Sequence, residues 1–249
     1  MGRDQSALMD YFLIVIILII GGIIQSSCGF GAGLFCMSLL PFFLDYKIAL
    51  PMMFLAGIVL NIRILFKTYK HIQWRIMVIP LAFSFIGRIF GQLAVNHLDS
   101  RYLQIVLGVM VTMTAIYQLF WREIFTIKNN FGTASAFGLT SGLMSGLAST
   151  GGPPLVIYLL NLKLEKYAYM ATIQMLFLCG ALFSVGLTSA SGLIDQSVLL
   201  YSLVAIASIL AGSFIGLKLF DKLNRLKLVK LVNIFLVITG LSLIIKSLI

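Results

Sequence analysis

Residues 129–162 read NNFGTASAFGLTSGLMSGLASTGGPPLVIYLLNL, and residues 11–44 read YFLIVIILIIGGIIQSSCGFGAGLFCMSLLPFFL; neither 34-residue stretch holds a charged side chain. A helix rises about 1.5 Å per residue, so either stretch drawn as one helix would reach about 51 Å, against about 30 Å of bilayer hydrocarbon. Neither is a single straight span. Each contains a breaking point: Gly29-Phe30-Gly31-Ala32-Gly33 in the first, Ser149-Thr150-Gly151-Gly152-Pro153-Pro154 in the second. Broken helices at corresponding places in two halves of a membrane protein point to a transport site.

Composition sets the class around these stretches. Hydrophobic residues make up 60% of the chain and charged residues 10%, with a mean hydropathy of +1.06. A soluble chain of 249 residues could not bury that much apolar surface, so the sequence describes an all-α polytopic membrane protein, a single transmembrane domain over 1–249 with the lipid bilayer as its surroundings. The net charge of +10 sits in short loops between apolar segments, the pattern that orients membrane proteins, and no nucleic-acid partner is expected. Cys28, Cys36 and Cys179 all fall within apolar segments without metal-ligand spacing, so no metal or cofactor is expected. The apolar run from Phe12 lacks a small-residue cleavage site and reads as a retained membrane segment.

Apolar segments fall near 11–44, 47–66, 76–96, 102–121, 131–162, 167–194, 196–217 and 229–247, and the last four echo the first four. At one offset Gly22 meets Gly142, Gly31 meets Gly151 and Asp45 meets Glu165. At a slightly longer offset Gly87 and Gly91 meet Gly212 and Gly216, and Thr114 meets Thr239. The chain reads as a duplication, repeat one about 11–121 and repeat two about 131–247.

Lysine and arginine decide how the halves are oriented. If every apolar segment crossed once, the loop with Lys67, Lys70 and Arg75 would face away from the loop with Lys218, Lys222, Arg225, Lys227 and Lys230, against the positive-inside rule. If each broken stretch instead folds into a hairpin, re-entrant or two short spans, each half adds three transmembrane helices and the halves are inverted repeats. Thirteen of the 18 cationic residues, including Arg122, Lys128, Lys163 and Lys166, then lie inside and both termini lie outside. The inverted arrangement is the expectation.

The breaks are the first candidates for chemistry. Glycine permits backbone geometry that ends one helix and starts another. Pro153 and Pro154 suit the first turn of a new helix, with Ser149 and Thr150 at capping positions before them. A new helix start leaves unbonded amides and a positive dipole end, which attract an anion. Such irregular backbone is tolerated at membrane depth only where protein buries it or it lines a cavity. Gly29, Gly31, Gly33, Ser149, Thr150, Gly151, Gly152 and Pro153 are therefore candidate substrate contacts; the alternative is that these glycines only permit close packing.

Arg88 lies within Phe85-Ile86-Gly87-Arg88-Ile89-Phe90-Gly91, deep in an apolar segment. An arginine there faces a cavity or partner, where its fork suits an oxyanion, or else snorkels to the headgroups. Gln25, Ser26, Ser27, Asn61 and Gln174 add polar groups able to bond an oxyanion, although hydroxyls on membrane helices also satisfy backbone carbonyls. The Gly-x-x-x-Gly pairs 87/91 and 212/216 read as helix crossings rather than ligand contacts. Every Asp and Glu lies in a loop or terminus, so no acid, base or nucleophile arrangement of an enzyme is present in the sequence.

The stretch Gly21–Gly33 (GGIIQSSCGFGAG), followed by Leu39-Leu40-Pro41, and the stretch Gly138–Leu160 (GLTSGLMSGLASTGGPPLVIYLL) resemble the sulfite exporter TauE/SafE family of membrane permeases, as does the duplicated layout over about 11–247. The resemblance implies a secondary transporter in the cell (inner) membrane that exports a small sulfur-containing anion, sulfite or an organosulfonate such as sulfoacetate. An importer of an organic or sulfur anion and an anion channel are the alternatives. Family members commonly carry a small residue where Arg88 stands, as Ser213 does in the second half. A homodimer is compatible with the sequence but not readable from it.

Overall fold

The computed structural model describes residues 2–120, 129–220 and 225–248; Arg122, Lys128 and Lys222 of the expectations above, with the last position of repeat one, 121, lie outside the described residues. Each uncharged stretch becomes two helices: α1 (Gly2–Cys28) and α2 (Ala32–Leu39) in the first, α6 (Phe131–Ala148) and α7 (Gly152–Asn161) in the second. The first pair is followed by α3 (Tyr46–Thr68), α4 (Trp74–His97) and α5 (Ser100–Phe120), the second by α8 (Lys166–Ala190), α9 (Gln196–Phe220) and α10 (Arg225–Leu248). Among the described residues six helical stretches are long and apolar enough to cross a membrane, and no strand occurs.

The two breaks form by different local means. Gly31 has φ +111°, a left-handed conformation that L side chains rarely adopt, and it sits at the start of α2. In the second break Ser149 is the left-handed residue, φ 56°, and its N–H closes back on the Met144 and Ser145 carbonyls. Sequence placed Ser149 and Thr150 as caps of α7; the structure makes Gly151 the N-cap, without a side-chain bond, while Ser149 ends α6 and Thr150 Oγ1 donates to Met144 O at 3.2 Å.

Both stretches are hairpins with a long outbound arm and a short return arm. Along the first, Cys36 Sγ donates to Ile17 O at 3.6 Å. Along the second, Ser141 Oγ donates to Gly151 O at 2.6 Å, and Tyr158 OH reaches back to Asn129 Oδ1 at 2.9 Å. The return arms are only 8 and 10 residues long because each break sits late in its stretch.

Packing exchanges helices between the halves. The first hairpin's α1 lies along α9 of the second half, and the second hairpin's α6 lies along α4 of the first; α3 meets α8 and α5 meets α10. Every one of these contacts keeps its place when the halves are exchanged. At the α4–α6 crossing, Gly87 and Gly91 lie against the Leu139 and Leu143 carbonyls; at the α1–α9 crossing, Gly212 lies against Ile19 O and Gly22 against Ile209 O. The Gly-x-x-x-Gly pairs are thus close backbone crossings, which small residues allow in lipid.

Ring contacts fix which loops share an end. Tyr167, at the start of α8, packs 5.6 Å from His71 and 5.7 Å from Phe220, so the chain segments after α3 and at the end of α9 meet there. At the opposite end Ser100 Oγ donates to Asp45 at 3.1 Å, Arg101 Nε donates to Ser247 O at 2.6 Å, and Tyr11 stacks 6.0 Å from Tyr201.

Candidate functional site

The two breaks touch at the centre of the bundle. A Cβ on Gly33 would strike Ser149 O, and one on Gly152 would sit 3.3 Å from Phe30. Beside this contact lies a cavity of about 60 Å³. The cavity has room for several water-sized groups. Its walls come from both hairpins (Gln25, Gly31, Ala32, Gly33; Ser145, Ser149, Thr150, Gly151, Gly152), from α3, α8 and α9, and from Arg88 of α4.

Backbone amides supply part of the polarity. A helix leaves its first N–H groups without intrahelical partners. At α2 these belong to Gly31, Ala32, Gly33 and Leu34, all of which line the cavity, and the first closing bond is Phe35 N–H to Gly31 O at 2.9 Å. At α7 the second and third residues are Pro153 and Pro154, so Gly151 and Gly152 provide the N–H groups there. Two helix N-termini, each a positive dipole end, thus border one small space.

Arg88 is the basic residue of this lining and is 5% exposed. Its Nη1 donates to Ser184 Oγ at 2.6 Å, and its guanidinium rests on Gly180, where a Cβ would come within 2.7 Å of Nε. Nε has no partner among the described residues. Ser184 engages Nη1, so the opposite Nε–Nη2 edge of the guanidinium makes no side-chain hydrogen bond among the described residues. The snorkelling alternative does not describe this side chain, which packs on α8 inside the bundle. Arg63 behaves differently, lying 4.5 Å over the Phe214 ring and outside the cavity lining.

Three side-chain amides form a chain beside the first break. Gln174 Nε2 donates to Gly29 O at 2.8 Å, Gln25 Nε2 donates to Gln174 Oε1 at 3.3 Å, and the same nitrogen donates to Asn61 Oδ1 at 2.8 Å. Gln25 and Asn61 line the cavity, whereas Gln174 is fully buried behind them.

Of the residues singled out from sequence, Arg88, Gln25, Gly31, Gly33, Asn61, Ser149, Thr150, Gly151 and Gly152 meet around the cavity. Five do not. Ser27 Oγ donates to Gly216 O at 3.1 Å and Ser26 lies against Gly216, so both serve the α1–α9 crossing. Gly29 packs against Tyr169 and Met170 of α8, Pro153 is buried in the first turn of α7, and Gln174 acts from behind the wall. Sequence reasoning missed the apolar wall, notably Phe54, Leu60 and Phe177, and it missed Gly180.

The sequence profile of the sulfite exporter TauE/SafE family matches residues 13–243, and with it both hairpins and every wall of the cavity. The chain belongs to that family. It is a membrane transporter and not an enzyme. A probable membrane transporter protein of Methanocaldococcus jannaschii is 29% identical over 202 residues, covering 74% of this chain and 71% of its own. No solved structure matches the chain significantly. Within this TauE/SafE chain the two glycine-rich motifs that carry the likeness are the two helix breaks that touch.

Proposed function

We propose that this protein is a secondary transporter that exports a small sulfur-containing anion, sulfite or an organosulfonate such as sulfoacetate, across the cell (inner) membrane. The observation that supports this reading most is the pairing of two helix N-termini with Arg88 around one small cavity. Both chemistries favour an anion with several oxygens, such as a sulfite or a sulfonate head. Among the described residues the cavity lining holds no carboxylate to bind a cation instead.

In this reading the two halves are inverted repeats, and each hairpin rocks with its partner helix from the other half to expose the cavity alternately. A cell interior that is negative favours expulsion of an anion by about 2.3 kcal/mol per charge per 100 mV. Export then needs no proton relay. Purified protein in liposomes loaded with sulfite or sulfoacetate tests the reading: efflux should be saturable and should show counterflow. Linear, unsaturated flux would indicate a channel, and flux of neither anion would remove the substrate assignment.

A further inference from the structure

Gln174 does not line the cavity, yet we propose that it decides what the cavity presents: it is a positioning residue that holds the Asn61 amide as a hydrogen-bond donor to the transported anion. This rests on the reading of the cavity as an anion site.

A side-chain amide has a donor end and an acceptor end that exchange by a half-turn, so its neighbours set its polarity. At Gln174 the neighbours leave one choice. Its NH2 lies 2.8 Å from Gly29 O and 3.5 Å from Met170 Sδ, and a carbonyl oxygen and a thioether can only accept. Its oxygen therefore faces Gln25, which must offer its own NH2 at 3.3 Å. That NH2 places its second hydrogen on Asn61 Oδ1 at 2.8 Å. The Asn61 oxygen is thus occupied, and its NH2 is left over at the cavity wall.

Polarity matters because a donor at the Asn61 position favours an oxyanion where an acceptor repels it. Without Gln174, the Gln25–Asn61 pair can turn over together and keep its mutual bond while presenting the Asn61 oxygen to the cavity. An acceptor at that place opposes an oxyanion. The carbonyl of Gly29, freed by the first helix break, thereby specifies the sign of a contact made by a residue on α3.

A double-mutant cycle on purified, detergent-solubilised protein tests this, with sulfite binding followed by calorimetry and folding followed by melting temperature. Asn61→Ala and Gln174→Met should each weaken sulfite binding about tenfold. The double variant should be no weaker than either single one, because Gln174 acts through Asn61. Arg88→Ala, by contrast, should add its loss to that of Gln174→Met. Losses at 61 and 174 that simply add would overturn the proposal and leave Gln174 a packing residue. In wild-type protein carrying 15N-asparagine, the side-chain NH2 resonances of Asn61, assigned by their absence in Asn61→Ala, should shift on adding sulfite. Their failure to move while sulfite binds overturns the proposal even if the Gln174 variant does not fold. A wild-type protein that binds neither sulfite nor sulfoacetate overturns the functional reading itself, and the donor role with it.

Discussion

The guanidinium of Arg88 lies against Gly180 of α8, in space that any larger residue at 180 would fill. The arginine is held by this contact and by the bond from Nη1 to Ser184 Oγ. Gly180→Ala should therefore leave the bundle folded, since the far end of a side chain can shift, but push the fork out of register. We expect about tenfold weaker sulfite binding with little change in melting temperature. Calorimetry on the purified variant decides it, and an unchanged dissociation constant would mean the fork edge is not used.

Arg88 itself should matter more. Charge-assisted hydrogen bonds contribute about 1.5–3 kcal/mol, so Arg88→Ala should lose about ten- to a hundredfold in affinity. Arg88→Lys supplies charge without the fork and should recover only part of it. Equal affinity in the alanine variant, measured per folded molecule, would leave the helix-terminal amides to hold the anion alone.

Gly31 and Gly151 should both reject valine, for separate reasons. Gly31 has φ +111°, which a β-branched residue cannot adopt without strain. Gly151 has an ordinary φ of −71°, but a Cβ there would meet the Ser141 and Ser145 side of α6. Transport should be lost in both variants while membrane insertion persists. Gly57 is the control: it lines the cavity and a Cβ there meets nothing within 4 Å, so Gly57→Ala should insert and fold normally. Anion efflux from liposomes, with surface expression measured alongside, separates these outcomes.

Single cysteines at Lys70 and Lys218 should be labelled from the same side of the membrane, the cytoplasmic one, and a cysteine at Lys246 from the other. The contacts of Tyr167 with His71 and Phe220 place the first two regions at one end of the bundle. By the positive-inside rule their positive charge predicts that this end faces the cytoplasm. Labelling of 70 and 218 from the outside would overturn this orientation and the charge argument behind it.

Much of this was legible because lipid imposes simple constraints. Length against bilayer thickness located both breaks, and the cost of a buried cation singled out Arg88. The facing of individual polar residues was not legible. Successive helical residues point about 100° apart, so of Gln25, Ser26 and Ser27 only one can face the cavity. In a soluble helix the apolar stripe would say which; in α1 nearly every side is apolar, and the partner helix α9 decides. Gly180 was invisible for a related reason. Nothing near it in sequence needs the space that Arg88 takes from α4.

The bond from Ser27 to Gly216 joins residues 189 positions apart, which gives the protein a clock as well as a shape. At about 5–20 residues per second, a ribosome delivers the α9 end of that contact about 10–40 s after the α1 end. The α4–α6 crossing, by contrast, can close as soon as the second hairpin is made. Through that interval Gly22 and Ser27 of the first hairpin lack the helix they pack against in the finished fold. A chain cut short before α9 would leave that face of α1 without its partner, so the packing of the N-terminal hairpin depends on completion of the C-terminal third.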